Sequence, residues 1–455
     1  MILAEIEALD AELDAFLLEF HDCCGRSEPR EHIRTYVCGQ LSDLPRKSVE
    51  PVALAAGVSV RTLQGFFERT QWDEQGLRDR IQRIVARDHA DLLSIGIVDE
   101  CGNPKRGHHT AGVHHQWCGR TRQRENCVVS VHLAYLANDF KCLLDSDLYL
   151  PQSWVDDPKR RRTAHIPEDV VFRKKADIAL DQIKRALANG VRVHWWTFDE
   201  WYGRDGEFLD ALDGLGQNYM AEVPTNFAGW LDEPRILLRP TPQEMARCFR
   251  RRVYPRLAHR WRRPSTVRDL VRHSPVFREQ PWHAFHIKDG ERGPMVWEAK
   301  AALFYRKHQN GLPGRPHTLM VARNVLTPKE VKYFVANAST RPGGVTVEHL
   351  LWAGFSRWPV EQCFEQSKTE LGLDHFEVRG WRAIHRHLYL TQATYLFCAR
   401  MQQRYREKND CEPRVDRRPS ADGGLCLRGR ARPPQAPTPD AVLQNREHDC
   451  LLPAT

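Results

Sequence analysis

Two acids in this chain stand where a strand could present them as cation ligands. The stretch DLLSIGIVDE (91–100) is an apolar run that closes on Asp99 and Glu100, and VRVHWWTF (191–198) leads directly into Asp199 and Glu200. A third candidate lies far downstream in FSRWPVEQCFEQSKTELGLDHF (355–376). There Pro359 suits the first turn of a helix and places Glu361 near its N-terminus. Val360, Cys363, Phe364 and Leu371 form a stripe that such a helix can bury, while Glu361 and Lys368, seven residues apart, share a face. Arg357 stands just ahead of this helix. Carboxylates are hard oxygen donors suited to Mg²⁺, and one flanked by two cations suits a site that binds both metal and phosphate. Taken singly, each acid has a plainer reading. Asp99 and Asp199 can open turns, and Glu361 can pair with Arg357 or Lys368 on a helix surface.

The elements that would position these acids follow from the hydrophobic pattern. Residues 1–88 read as helical, with Ile2, Ile6, Leu9, Leu13 and Phe16 at helical spacing. VALAAGVSVRTLQGFF (52–67) has the spacing of a helix-turn-helix, with Gly57 at the turn, Ser59 as N-cap and Arg61 in the second helix. Two packed helices that touch no DNA fit the same pattern. Residues 89–225 alternate between strand and helix. Strands are expected over 91–100, 110–117 and 126–136, then a helix over 168–190 closing on Gly190. A strand into Asp199, a helix over GEFLDALDGL and a strand over NYMAEVP complete this part. Residues 226–343 read as a β-rich insertion containing RCFRRRVYPRLAHRWRRPSTVR (247–268), which has nine arginines, among them Arg250, Arg251 and Arg252, and no acids. Aromatic residues including Trp261 are interleaved with them. Residues 344–408 return to helix, and 409–455 form a Pro- and Arg-rich tail with a disordered composition.

Bulk properties set wider bounds. A chain of 455 residues can hold two or three domains. A net charge of +8, from 67 Lys and Arg against 59 Asp and Glu, is modest, so a nucleic-acid signal has to come from clustering. Thirteen cysteines without a C-x-x-C pair read neither as a disulfide framework nor as a zinc ribbon. His108, His109, His114, His115 and Cys118 are the densest metal-like group, but strand alternation would send neighbouring histidines to opposite faces. The N-terminus is amphipathic and acidic rather than a signal peptide, and no apolar run approaches 18 residues. A cytoplasmic protein with reduced thiols is expected.

Together, VDECGNPKRGHHTAGV, LYLPQSWVDDPKRR, DEWYGRDGEFLDAL and RWPVEQCFEQSKTELGLDHFEVRGW resemble bacterial insertion-sequence transposases of the DDE type, in the group with a long β-rich insertion before the glutamate. The spacing Arg357-x3-Glu361-x6-Lys368 is similar to that group's Tyr-Arg-Glu-Lys signature, with Gly354 where the tyrosine would fall. Glu100 stands where many members have a second aspartate, and the segment after Lys105 is richer in histidine than usual.

The resemblance implies an α/β fold: a ribonuclease H-like catalytic core interrupted by the insertion, with an N-terminal helical DNA-binding domain. It implies Asp99, Asp199 and Glu361 as the catalytic, metal-binding triad for two Mg²⁺ ions, with Mn²⁺ tolerated. Arg357 and Lys368 would bind phosphates of the transposon end. Arg250, Arg251, Arg252, Trp261 and Arg61 are further candidate DNA contacts. The expected partners are double-stranded terminal inverted repeats and target DNA, with a homodimer on two ends and no membrane. The expected location is the bacterial cytoplasm, at the nucleoid. Two other readings remain: a transposase-derived DNA-binding protein without cleavage, and a helix-turn-helix regulator with an unrelated αβ effector domain.

Overall fold

The computed structural model describes residues 3–238, 255–258, 263–290, 293–340 and 342–411. The chain opens with helices α1 (Leu3–Leu18), α2 (Ser27–Leu41), α3 (Val49–Ala55), α4 (Val60–Glu68) and α5 (Glu74–Asp88). The expected turn between α3 and α4 is present, with Gly57 at φ 66°, a left-handed conformation that costs glycine little. Ser59 occupies the N-cap position of α4, but its side chain makes no capping hydrogen bond there. Asp73 does cap α5, accepting from the Gly76 amide.

The strands and helices that follow are β1 (Ile95–Pro104), β2 (His114–Cys118), β3 (Gln123–Ala137), β4 (Phe140–Leu148), α6 (Gln152–Val155), α7 (Pro158–Thr163), α8 (Lys175–Ala188), β5 (Trp195–Phe198), α9 (Glu200–Gly203), α10 (Gly206–Gly214) and β6 (Tyr219–Glu222). Next come β7 (Ala228–Trp230), β8 (Ile236–Leu237), β9 (Arg256–Leu257), β10 (Ser265–Thr266), α11 (Val267–His273), α12 (Pro275–Arg278), β11 (His283–Gly290), β12 (Gly293–Lys307), β13 (Pro313–Asn324) and β14 (Val331–Ala336). Helices α13 (Val347–Phe355), α14 (Pro359–Thr369) and α15 (Trp381–Cys411) close the described chain. The fold is thus mixed α/β, built on one large mixed sheet. No described helix is long and apolar enough to cross a membrane.

Three differences from the sequence expectations have physical causes. First, β1 does not stop at the acids: it runs on to Pro104 because β3 pairs with it along its whole length, Asp99 opposite His132. Only the parallel pairing with β5 ends there, at Val98 and Phe198. Second, β4 was not anticipated. Its acids are buried but paired, Asp145 with Arg185 and Asp147 with Arg173 and His385. Third, helix α15 continues through 409–411, so the tail composition begins inside a helix.

The insertion extends the central sheet. In the order β10-β7-β12-β13-β14-β6-β5-β1-β3-β2, β14 pairs with β6 and so carries the insertion strands into the same sheet as β5 and β1. The N-terminal helices are likewise packed in, sharing one hydrophobic core with the sheet and α15. Arg386 on α15 is fully buried and donates to the Phe66, Phe67 and Thr70 carbonyls, with Glu74 as its counter-ion. A buried guanidinium with all these partners fixes α15 to the α4–α5 connection.

Candidate active site

The site is built at the end of β5. Trp195, Trp196 and Phe198 are buried, and β5 lies between β1 and β6 with parallel pairing on both sides. Burial of each such ring contributes on the order of 2–3 kcal/mol, so the strand is a rigid support. Val98 is level with Phe198, and Phe198 with Ala221. One residue further on, Asp99, Asp199 and Glu222 therefore stand level across β1, β5 and β6.

Asp199 opens a turn, one of the two roles its sequence position allowed. It is the N-cap of α9, its Oδ1 accepting from the Trp201 amide at 3.0 Å and the Tyr202 amide at 3.2 Å. It is also close enough to Asp99 for its charge to raise that group's pKa. Glu200, its neighbour, is exposed on α9. Glu100 turns away to an ion pair with Lys175 at 2.7 Å.

Helix α14 supplies the remaining groups. Pro359 opens it, and Val360, Cys363, Phe364 and Leu371 are buried as the stripe predicted. This burial leaves Glu361 exposed, on the helix's first turn. Arg357, just ahead, donates from Nη1 to Asp99 Oδ2 at 3.0 Å and lies 3.8 Å from Glu361 Oε1. Burial works against the charged guanidinium, but Asp99, Asp199, Glu222 and Glu361 outweigh it and raise its pKa. Burial pushes the Asp99 carboxyl up to about 7, with Arg357 opposing and Asp199 adding to the rise. Lys368 reaches the Cys101 thiol, two residues past Asp99 on β1.

Beneath α14 a neutral polar network supports β1 and β3. His132, opposite Asp99, is bonded through Nε2 to Ser130 Oγ at 2.7 Å and through Nδ1 to Ser146 Oγ at 2.6 Å. Its ring meets Phe364 of α14 edge-on at 5.0 Å. Burial, reinforced by the Lys368 charge, lowers its pKa to about 3, so it is uncharged at neutral pH.

Gly354, at the position of the resemblance's tyrosine, packs tightly within α13. A Cβ there would lie 3.2 Å from Phe334 Cε1 and 3.3 Å from Met220 Cγ. A larger side chain there would have to displace the Phe334 and Met220 side chains.

Asp99, Asp199, Glu361, Arg357 and Lys368 are therefore gathered in one region, around the end of β5 and along α14. Arg61 is elsewhere, exposed on α4 with Thr62 and Gln64. Arg250, Arg251, Arg252 and Trp261 lie outside the described residues. Glu222 was missed by sequence reasoning, although NYMAEVP has the same form as the other two runs, apolar residues closing on an acid. Among the described residues no three Asp, Glu, His or Cys side chains converge closely enough to hold a metal ion. Arg357 stands among the acids instead. The donors are nonetheless all hard carboxylates, a type of oxygen donor that divalent cations such as Mg²⁺ take.

Beside Asp199 opens a cleft of about 630 Å³, lined among others by Tyr149, Lys174, Lys175, Trp201, Arg204 and Lys307. Cations and aromatic rings are interleaved in it, with the Lys175 ammonium 5.2 Å and the Arg204 guanidinium 5.4 Å from the Trp201 ring centre.

The profile of the family described as DDE superfamily endonuclease matches residues 19–294. The chain is also similar to the probable transposase for insertion sequence element IS701 of Microchaete diplosiphon. The two are 26% identical over 345 residues, covering 75% of this chain and 74% of the relative.

Proposed function

The chain belongs to the DDE superfamily endonucleases, among the insertion-sequence transposases, and from that premise we propose that it cuts the ends of its own element and joins them to target DNA. The observation that carries this reading is the level pair Asp99 and Asp199, with Arg357 and Glu361 brought to it by α14.

In this reading the core is ribonuclease H-like, and Asp99, Asp199 and Glu361 would hold two Mg²⁺ ions, with Mn²⁺ as a substitute. When bound, such ions supply positive charge to the attacking and leaving oxygens of an in-line phosphoryl displacement. The chain's own residues do the rest. Asp99 and Asp199 are held by β1 and β5, with Asp99 Oδ2 bonded to Arg357 and Asp199 Oδ1 to two backbone amides, so each would turn its other oxygen, or release its partner, to bind an ion. Arg357 has a planar guanidinium that can pair bidentately with a phosphate once it leaves Asp99. Lys368, seven residues along α14 from Glu361, adds a second cation about 10 Å away. Lys175, Arg204 and Trp201 offer a strand beyond Asp199 both charge and a stacking surface.

Water as nucleophile leaves a 3′-OH, and that 3′-OH as nucleophile joins the element to its target. Helix α4, with Arg61, Thr62 and Gln64 exposed, is the candidate reader of the terminal inverted repeat. Arg250, Arg251, Arg252 and Trp261 would follow the DNA backbone from the insertion. Two ends have to be held together, which calls for a homodimer on DNA.

The test is to incubate the protein with duplexes carrying the inverted repeats that flank its coding sequence, with Mg²⁺ or Mn²⁺, and to score strand cleavage. Wild type should cut and Asp199→Ala should not. Equal cutting by both would refute the reading. Specific end binding without cutting would favour a transposase-derived DNA-binding protein, for which the departure at Gly354 is the supporting observation.

A further inference from the structure

Arg357 is surrounded by more acids than the three assigned to the reaction. Burial works against its charge, and Asp99, Asp199, Glu222 and Glu361 favour it. Asp99 accepts from Arg357 Nη1 at 3.0 Å, and Glu361 Oε1 lies 3.8 Å from Nη2. Asp199 gives its Oδ1 to two amides of α9. Glu222 has none of these tasks, yet its place in the fold is fixed from three sides.

The first side is the sheet. Phe198 on β5 is level with Ala221 on β6, which puts Glu222 one residue beyond, in line with Asp199 and Asp99. Neighbouring strands are about 4.8 Å apart, so Glu222 stands one strand from Asp199 and two strands, roughly 10 Å, from Asp99. The second side is the insertion, where Glu222 is opposite Phe334 of β14. Opposed residues share a face, as do residues two apart on one strand. Met220, Glu222, Lys332 and Phe334 therefore point the same way. Met220 and Phe334 are the side chains that a Cβ at Gly354 would meet, so α13 covers this face. Arg357 follows the end of α13 by two residues and reaches the acids from the side that Glu222 faces. The third side is α9. The Glu222 carbonyl occupies the space that a Cβ at Gly203 would need, so the helix capped by Asp199 rests on the Glu222 backbone.

The carboxylate itself is balanced by the insertion. Glu222 Oε1 is paired with Lys332 Nζ at 2.8 Å. Among the described residues, Asp99 and Glu361 have Arg357 as their ion-pair partner, and Glu222 alone of the four acids has a cation from the insertion. Held in this way, Glu222 attracts Arg357 without bonding it. Asp99 by itself would keep the guanidinium over β1. Coulomb attraction falls off only with the first power of distance, so Glu222 pulls the guanidinium along the row, toward β5 and β6.

We propose that Glu222 is a positioning residue for the reaction: its charge draws the Arg357 guanidinium from Asp99 toward Asp199, and Lys332 keeps Glu222 from bonding that guanidinium outright. The insertion thereby sets where the phosphate-binding arginine stands. The inference rests on reading this site as one that cleaves DNA, and adds to that reading a residue that acts through Arg357.

The test measures single-turnover cleavage, binding of the end duplex in EDTA, and melting for E222Q, E222D, K332M and the exchange variant E222K/K332E. Misplacing a reacting group by about 1 Å can cost on the order of 100-fold in rate. E222Q should therefore slow cleavage by roughly 10–100-fold, while its Kd for the duplex stays within about 3-fold of wild type. E222D keeps the charge and should recover most of the lost rate. K332M keeps the whole row of acids but frees Glu222 to bond Arg357, and it too should cut more slowly than wild type. The exchange variant rebuilds the ion pair and should melt like wild type, yet it puts a cation beside Arg357 and should cut no faster than E222Q. An exchange variant that restores both melting and cleavage would show a purely structural pair and overturn the inference. If wild type cuts and E222Q or K332M cuts as fast, this inference alone falls. If wild type does not cut, the DNA-cleaving reading falls and this inference with it.

Discussion

Replacing Asp99 by asparagine should abolish cleavage and yet stabilise the metal-free protein above neutral pH. Burial raises this carboxyl from 3.8 to about 7, although Arg357 opposes the rise. A group whose pKa is raised by folding contributes stability that is fully present below its unfolded value and lost as pH rises through its folded value. Wild type therefore carries the cost of ionising Asp99 above pH ~7, whereas asparagine, like the protonated acid, does not. The rise of roughly three pH units corresponds to ~4 kcal/mol at ~1.4 kcal/mol per unit. Solvent reaches 15% of the Asp99 side chain and screens part of this, so about 2–3 kcal/mol is expected. For a chain of 455 residues that is a rise in Tm of about 2–3 °C at pH 8. The assay is thermal melting of both proteins in EDTA from pH 4 to pH 8. The gain from Asp99→Asn should shrink as pH falls from about 7 and vanish near 4. Added Mg²⁺ should raise the Tm of wild type more than that of the variant, because only wild type keeps the full donor set. A variant that melts below wild type at pH 8, or a gain of equal size at pH 4, would refute the electrostatic reasoning.

Two further outcomes separate structure from chemistry at neighbouring positions. Asp199→Asn keeps an oxygen to cap α9 and should melt like wild type, while Asp199→Ala should lose about 1 kcal/mol; both should be inactive in cleavage, and a stable, active Asp199→Ala would remove Asp199 from the site. Gly354→Tyr, which restores the residue of the resemblance's signature, should cost about 1–3 kcal/mol by overpacking against Phe334 and Met220. An unchanged Tm with faster cleavage would show that α13 has room the packing denies.

How much of this was legible in the sequence depended on whether the signal was local. The strand into Asp199 was readable because VRVHWWTF is apolar and aromatic, and α14 because Pro359, the buried stripe and Glu361 all lie within one short segment. Strand β4 was not readable. FKCLLDSDL carries two acids that look solvent-facing until Arg185, Arg173 and His385 are brought to them from distant segments. Glu222 was hidden for a related reason: its level with Asp99 and Asp199 is a property of strand register, which no single segment encodes. The same holds for the insertion. Its strands were expected, but their joining to the core through β14 and β6 is a pairing between distant parts of the chain.

Arg357 connects these observations. It is bonded to Asp99 and close to Glu361, and its charge is favoured by Asp199 and Glu222 as well. Asp99, the most buried of these acids, needs a counter-charge, and Arg357 supplies it at 3.0 Å. The same planar donor set that satisfies a carboxylate also satisfies a phosphate. Arg357 can serve Asp99 or a substrate phosphate through Nη1, but not both at once. Asp99 would be one of the residues to hold a divalent cation, and Arg357, 3.0 Å from it, would be at hand for a substrate phosphate. The spacing of Arg357 ahead of Glu361 matters because a side chain placed just before α14 reaches Asp99 while lying 3.8 Å from Glu361 on that helix's first turn.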